Sequence, residues 1–187
     1  MGRAYIGLGS NLGDGRVNLQ EAWRRLGETA GVALLTLSSP YLTRPLAKPE
    51  WLASGQVVGA GMFTNAVGLV ESRLPPEELL AAMQEIENGM GRDRERSVDR
   101  PVDLDLLYYD DLRLSDSDLL LPHPEIQSRR FVLMPLAELA PELLHPLLGL
   151  TSIQMLELLG AGEEDEIRRL AWLEIKDPSD FAEKTNW

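Results

Sequence analysis

The stretch Arg100-Pro101-Val102-Asp103-Leu104-Asp105-Leu106-Leu107-Tyr108-Tyr109 decides how the chain is read. Its apolar residues describe a buried strand over 102–109. Side chains alternate faces along a strand. That places Asp103, Asp105, Leu107 and Tyr109 on one face, and Val102, Leu104, Leu106 and Tyr108 on the other. Two carboxylates about 7 Å apart on one face repel unless positive charge lies near them. Mg²⁺ meets that need, because it takes oxygen ligands and shares its coordination sphere with substrate phosphates. A D-x-D pair by itself is a weak signal, and taken alone it favours a strand that merely shows one face to water. Leu107 and Tyr109 on the same face argue against simple solvation.

The residues before the strand are rich in arginine. Arg92, Arg94, Arg96 and Arg100 fall within nine positions, and Arg129 and Arg130 form a second cluster. The guanidinium fork matches phosphate oxygens two at a time. Asp93, Glu95 and Asp99 are interleaved, so a solvated charged loop is the competing reading. The chain carries a net charge of -12 over 187 residues. A nucleic-acid binder shows a basic footprint, so local arginines on an acidic protein point to a small anionic ligand.

Around this centre the sequence predicts a β-α-β-β-α-β order. Residues 4–9 read as a strand and Val17–Leu26 as an amphipathic helix. Residues 32–42 read as one strand and 64–71 as another. A helix begins at Pro75 or Pro76, carries Leu79, Leu80, Met83 and Ile86 inward, and stops at Gly89 or Gly91. Residues 43–62 read as a long loop. Residues 110–124 could hold a short hairpin, 125–139 a helix or two interrupted at Pro135, and 151–159 a last helix. The economical arrangement is an α+β ferredoxin-like sandwich, two helices on one face of a mostly antiparallel sheet, with additional C-terminal helices. Residues 1–160 form the expected domain and 161–187 an extension that docks or stays mobile.

Other chemistries find little support. The sequence has no cysteine and two histidines, which disfavours zinc and excludes disulfides. "GLGSNLGDG" fails the dinucleotide fingerprint, since the sixth position from Gly7 is Leu12. It reads as a strand-to-helix turn capped by Asn or Asp. No Walker lysine motif and no serine elbow occurs. His123, between two prolines, could donate to a phosphate or simply sit in a loop at a helix start. His145, among leucines, reads as structural. No apolar run reaches membrane-span length, and the N-terminus lacks the pattern of a signal peptide.

Together the pieces "AYIGLGSNLGD", "SSPYLTRPL", "FTNAVGLVES", "PEELL…IENGMGR", "RPVDLDLLYYDD" and "LPHPEIQSRRFVLMPLAELAP" resemble the 6-hydroxymethyl-7,8-dihydropterin pyrophosphokinases of folate synthesis. The resemblance runs from about Ala4 to Pro146. It implies transfer of pyrophosphate from ATP to the pterin hydroxymethyl oxygen. It implies that Asp103 and Asp105 hold two Mg²⁺ ions, and that Arg92 and Arg100 close on the phosphates. Glu87, Arg92, His123 and Arg129 match the ATP site. Phe63 and Phe131 match an aromatic pair that sandwiches the pterin, Asn65 its hydrogen-bonding partner, and Thr43 and Leu46 a segment that reads its edge. The implied protein is a cytoplasmic monomer with ATP and the pterin as partners, without nucleic acid or membrane. A non-catalytic binding module and a different D-x-D transferase are the alternatives.

Overall fold

A computed structural model describes residues 1–44, 62–92, 100–160 and 167–174. Its centre is a six-stranded, antiparallel sheet. Strand β1 (Gly2–Ser10) lies between β4 (Phe63–Ser72) and β5 (Asp103–Tyr109). Beyond β4 come β2 (Val32–Leu37) and β3 (Tyr41–Thr43), with β8 (Arg168–Arg169) outside β3. The hairpin expected in 110–124 is present as β6 (Leu114–Ser115) and β7 (Leu120–Leu121).

Helices α1 (Gly15–Glu28) and α2 (Pro76–Gly89) cover one face of the sheet. Asp14 caps α1 by accepting the Arg16 N–H at 3.0 Å, as its turn chemistry predicts. Proline opens α2, where no backbone donor is needed. The buried faces of these helices, Leu19, Ala22 and Leu26 with Leu79, Met83 and Ile86, meet Ile6, Leu8, Val70, Leu104 and Leu106. Helix α1 comes so close to β4 that residue 68 must be glycine. A Cβ there would overlap the Trp23 ring, with Cη2 at 2.6 Å. A rigid indole cannot yield cheaply, so Gly68→Ala is expected to destabilise the fold by about 1–3 kcal/mol. Urea unfolding measures this as a lower midpoint at an unchanged slope.

The other face is only partly covered. Helices α3 (Arg130–Leu139) and α4 (Ser152–Leu159) pack Val132, Leu133, Leu136 and Met155 on Val67, Leu107 and Tyr108. Thr151 and Gln154 close a reciprocal capping box at the start of α4. His145 is structural, as expected. It is buried, and its Nδ1 accepts the N–H groups of Leu147 and Leu148.

The structure corrects three local expectations. The strand expected at 32–42 breaks at Ser38–Pro40, because Ser38 turns its hydroxyl to the Val67 N–H and Pro40 has no N–H to offer. Pro135 does not interrupt its helix. It lies inside α3, where it merely fails to donate to the Phe131 carbonyl, and tertiary packing outweighs that loss. Finally, Tyr108 and Tyr109 lie on the opposite faces from those expected. A bulge shifts the β1–β5 register, so that Tyr5 faces Tyr108 but Ile6 faces Leu106. The extra residue reverses the alternation. Tyr108 joins Leu107 beneath α3, and Tyr109 joins the core beneath α1 and α2.

Candidate active site

The uncovered part of the second face is a cavity of about 260 Å³. Its floor is bare because β1 presents Gly7 and Gly9 there, directly opposite Asp105 and Asp103. A Cβ at residue 9 would stand 3.3 Å from Asn65 Oδ1 and 3.9 Å from Asp103 Cβ, intruding on this floor. The bulge lies further along β5 than the two aspartates, so both keep the shared face that alternation gives them.

Phe63 on β4 and Phe131 at the start of α3 line the cavity, together with Thr43, Asn65 and Arg100. Each phenyl ring carries a guanidinium: Arg100 Cζ lies 5.9 Å from the Phe63 centroid and Arg129 Cζ 5.7 Å from that of Phe131. Asn65 is buried, and its Nδ2 donates to Thr43 Oγ1 at 2.9 Å. That bond fixes the amide, leaving Oδ1 as an acceptor.

Charge is dense around the aspartates. Asp103 pairs with Arg92 at 2.5 Å and with Arg100 at 2.7 Å. Arg92 also pairs with Glu87 of α2, which is buried and accepts the Leu104 N–H at 2.7 Å. Glu87 thus holds together Arg92 and the strand between the two aspartates, and it lines neither cavity. Asp105 has Arg129 at 3.7 Å, and Arg129 also pairs with Glu125. Burial pushes the Asp105 carboxyl up, and the Asp103 charge adds to that. Burial pushes the His123 imidazole down. Its Nδ1 accepts the Glu125 N–H at 3.2 Å, so the neutral ring carries its proton on Nε2.

The residues suit a cation–polyphosphate pair. A carboxylate pair disfavoured by burial and mutual repulsion gains from a divalent cation. Arg100 Nε is a buried donor without an acceptor among the described residues, which suits an anion. No group of three or more metal-ligating side chains occurs among the described residues. Two carboxylates would therefore need further oxygens from a ligand.

Arg130 is set apart from Arg129, since its guanidinium donates to the Gly160 carbonyl. Leu46, Arg94 and Arg96 lie outside the described residues.

The sequence profile of the family described as 7,8-dihydro-6-hydroxymethylpterin-pyrophosphokinase (HPPK) matches residues 5–141. The chain belongs to the HPPK family. It is 40% identical over 144 residues to 2-amino-4-hydroxy-6-hydroxymethyldihydropteridine pyrophosphokinase of Methylorubrum extorquens, covering 76% of this chain and 85% of that one. It is 37% identical over 172 residues to the enzyme of the same name from Pseudomonas aeruginosa, covering 90% of this chain and 96% of that one. The fold is also that of the Plasmodium falciparum HPPK-DHPS structure with pteroate. There the TM-score is 0.65 at 15% identity, and the match covers 84% of this chain and 44% of that chain.

Two features of this HPPK are not legible in its sequence. One is a second cavity of about 250 Å³, walled by Leu80, Leu104, Leu106, Leu119, His123 and Asp105. It draws on α2, β5 and the β6–β7 hairpin, which no single motif joins. Asp105 lines both cavities. The other feature is Asn11, in the turn after β1. Its Oδ1 accepts the Arg100 N–H at 2.8 Å, and its own N–H donates to the Arg100 carbonyl at 3.3 Å. The turn does more than join strand to helix, because it grips the backbone of an arginine in the site.

Proposed function

We infer that this HPPK transfers the terminal pyrophosphoryl group of ATP to the hydroxymethyl oxygen of 6-hydroxymethyl-7,8-dihydropterin, releasing AMP, in folate synthesis. The carrying observation is that Asp105 belongs to both cavities. A heterocycle in the first and a nucleotide base in the second would meet over the aspartate pair.

In this reading the pterin lies between Phe63 and Phe131, which supply stacking surface. Asn65 Oδ1 accepts from the ring N–H groups, and Thr43 follows its edge. The base of ATP enters the leucine-walled cavity. His123 Nε2–H and Arg129 donate to the polyphosphate. Asp103 and Asp105 hold two Mg²⁺ ions, which when bound offset phosphate charge and make the β-phosphorus a better electrophile. Arg92 and Arg100 add positive charge where negative charge builds up on the phosphate oxygens during in-line attack. Glu87 contributes to the ATP site by orienting Arg92. The new bond joins the hydroxymethyl oxygen to the β-phosphorus. The bond between that phosphorus and the α,β-bridging oxygen breaks, and AMP leaves.

The strand order around β1 fits the ferredoxin-like sandwich, with its second strand divided into β2 and β3. Residues 1–160 then form the catalytic domain and 161–187 an appended segment. No helix among the described residues is long and apolar enough to cross a membrane. A cytoplasmic monomer with small-molecule partners completes the proposal.

The test is a product assay with ATP, Mg²⁺ and the pterin, resolved by mass. AMP and a pterin bearing two added phosphates are expected in equal amounts. ADP would contradict the reaction. Phe63→Ala and Phe131→Ala are each expected to raise the pterin KM about tenfold, while the ATP KM changes little. The reverse pattern would defeat the stacking assignment.

A further inference from the structure

The segment after α4 returns to the sheet. Within it, β8 pairs with β3, setting Arg169 opposite Tyr41 and Arg168 opposite Leu42. Three further bonds fasten it. The Leu170 N–H donates to the Pro40 carbonyl at 2.7 Å, and Trp172 Nε1 donates to the Ser38 carbonyl at 2.8 Å. Gln20 of α1 donates to the Leu173 carbonyl at 3.0 Å. These bonds make the segment a strap across the short strand that ends in Thr43.

One side chain joins the strap to both walls of the first cavity. Glu138, near the end of α3, accepts from Tyr41 Oη at 2.7 Å, from the Ser39 N–H at 3.1 Å and from Ser39 Oγ at 2.9 Å. It also accepts from Arg169 at 2.9 Å, and Arg169 in turn donates to Ser39 Oγ at 2.8 Å. Helix α3 carries Phe131. Strand β3 carries Thr43, which fixes the Asn65 amide. A single carboxylate therefore ties together the elements that hold the aromatic wall and the hydrogen-bonding wall.

We propose that Glu138, with the 168–172 strap, is a positioning device that sets the two walls of the pterin subsite. This rests on reading the first cavity as that subsite. Burial raises the Tyr41 pKa to about 12, helped by its bond to Glu138, so Tyr41 remains a donor throughout any working pH range. Arg169 is largely exposed, so its ion pair with Glu138 is weak by itself. The strength of the hub lies in its bonds to Tyr41 and Ser39. The second cavity has no wall on β3 or α3. A selective effect on the pterin follows.

The test titrates wild type, Glu138→Ala and Trp172→Phe separately with the pterin and with a non-hydrolysable ATP analogue plus Mg²⁺. Glu138→Ala is expected to weaken pterin binding about tenfold, while nucleotide binding stays within about twofold. Trp172→Phe keeps an aromatic ring but loses the bond to Ser38. It should weaken pterin binding by a smaller factor, and it serves if Glu138→Ala does not fold. Equal losses for both ligands would mark a purely structural role and overturn the proposal. So would unchanged pterin binding in both variants. A wild type that binds the nucleotide but not the pterin would overturn the subsite reading and this proposal together.

Discussion

Asp105→Asn is expected to lower turnover at saturating substrates and Mg²⁺ by about a thousandfold or more, because it removes the carboxylate that lines both cavities. The same change should leave the fold intact or make it more stable. Burial and the Asp103 charge hold the Asp105 carboxyl above the ordinary aspartate range. For an acid, a raised folded-state pKa means that stability falls as pH rises from the unfolded value through the folded one. Asparagine has no charge to desolvate and escapes that loss. Thermal melts at neutral pH should therefore place Asp105→Asn at or above wild type, with the gap closing towards acid pH. Lost activity with retained stability separates a functional residue from a packing residue. Near wild-type turnover would remove Asp105 from the metal site.

Arg100→Ala should lower turnover about a hundredfold, with a smaller loss of pterin affinity. Both effects follow from its position. Arg100 pairs with Asp103, stacks over Phe63 and keeps a buried Nε without an acceptor among the described residues. It therefore touches both Asp103 and Phe63, the sides that the proposed function gives to the polyphosphate and to the pterin. Arg100→Lys should recover only part of the loss, since an ammonium has neither the planar face for Phe63 nor a second donor at the required angle. Steady-state kinetics with each substrate varied in turn would show the division. Full recovery by lysine would mean that charge alone matters there.

The sequence pattern gave the placement of a candidate residue wherever its neighbours on one strand suffice. Asp103 and Asp105 share a face by simple alternation, and β5 keeps that alternation as far as its bulge. The assignment failed at Tyr108 and Tyr109 because the bulge depends on how β1 pairs with β5, which neither strand's composition reveals. Pro135 misled for a related reason. A proline argues for a break when a helix is considered alone, yet α3 is held by what it packs against. Asn11, the second cavity and the strap were all hidden by distance along the chain. Asn11 meets Arg100, and Trp172 meets Ser38. Such contacts follow from topology and have no local signature. Glu87 shows the intermediate case. The resemblance assigns it to the nucleotide side, whereas the structure has it bonded to Arg92 and to the Leu104 N–H, lining neither cavity.

The most direct test of the central claim is a crystal structure with Mn²⁺, a non-hydrolysable ATP analogue and the pterin, read by the anomalous signal of the metal. The account predicts metal ions bound by the Asp103 and Asp105 carboxylates and by phosphate oxygens. It also places the base against Leu104 and Leu106 and the pterin between Phe63 and Phe131. Metal ions held away from both aspartates, with Asp103 still paired to Arg92 and Arg100, would contradict it.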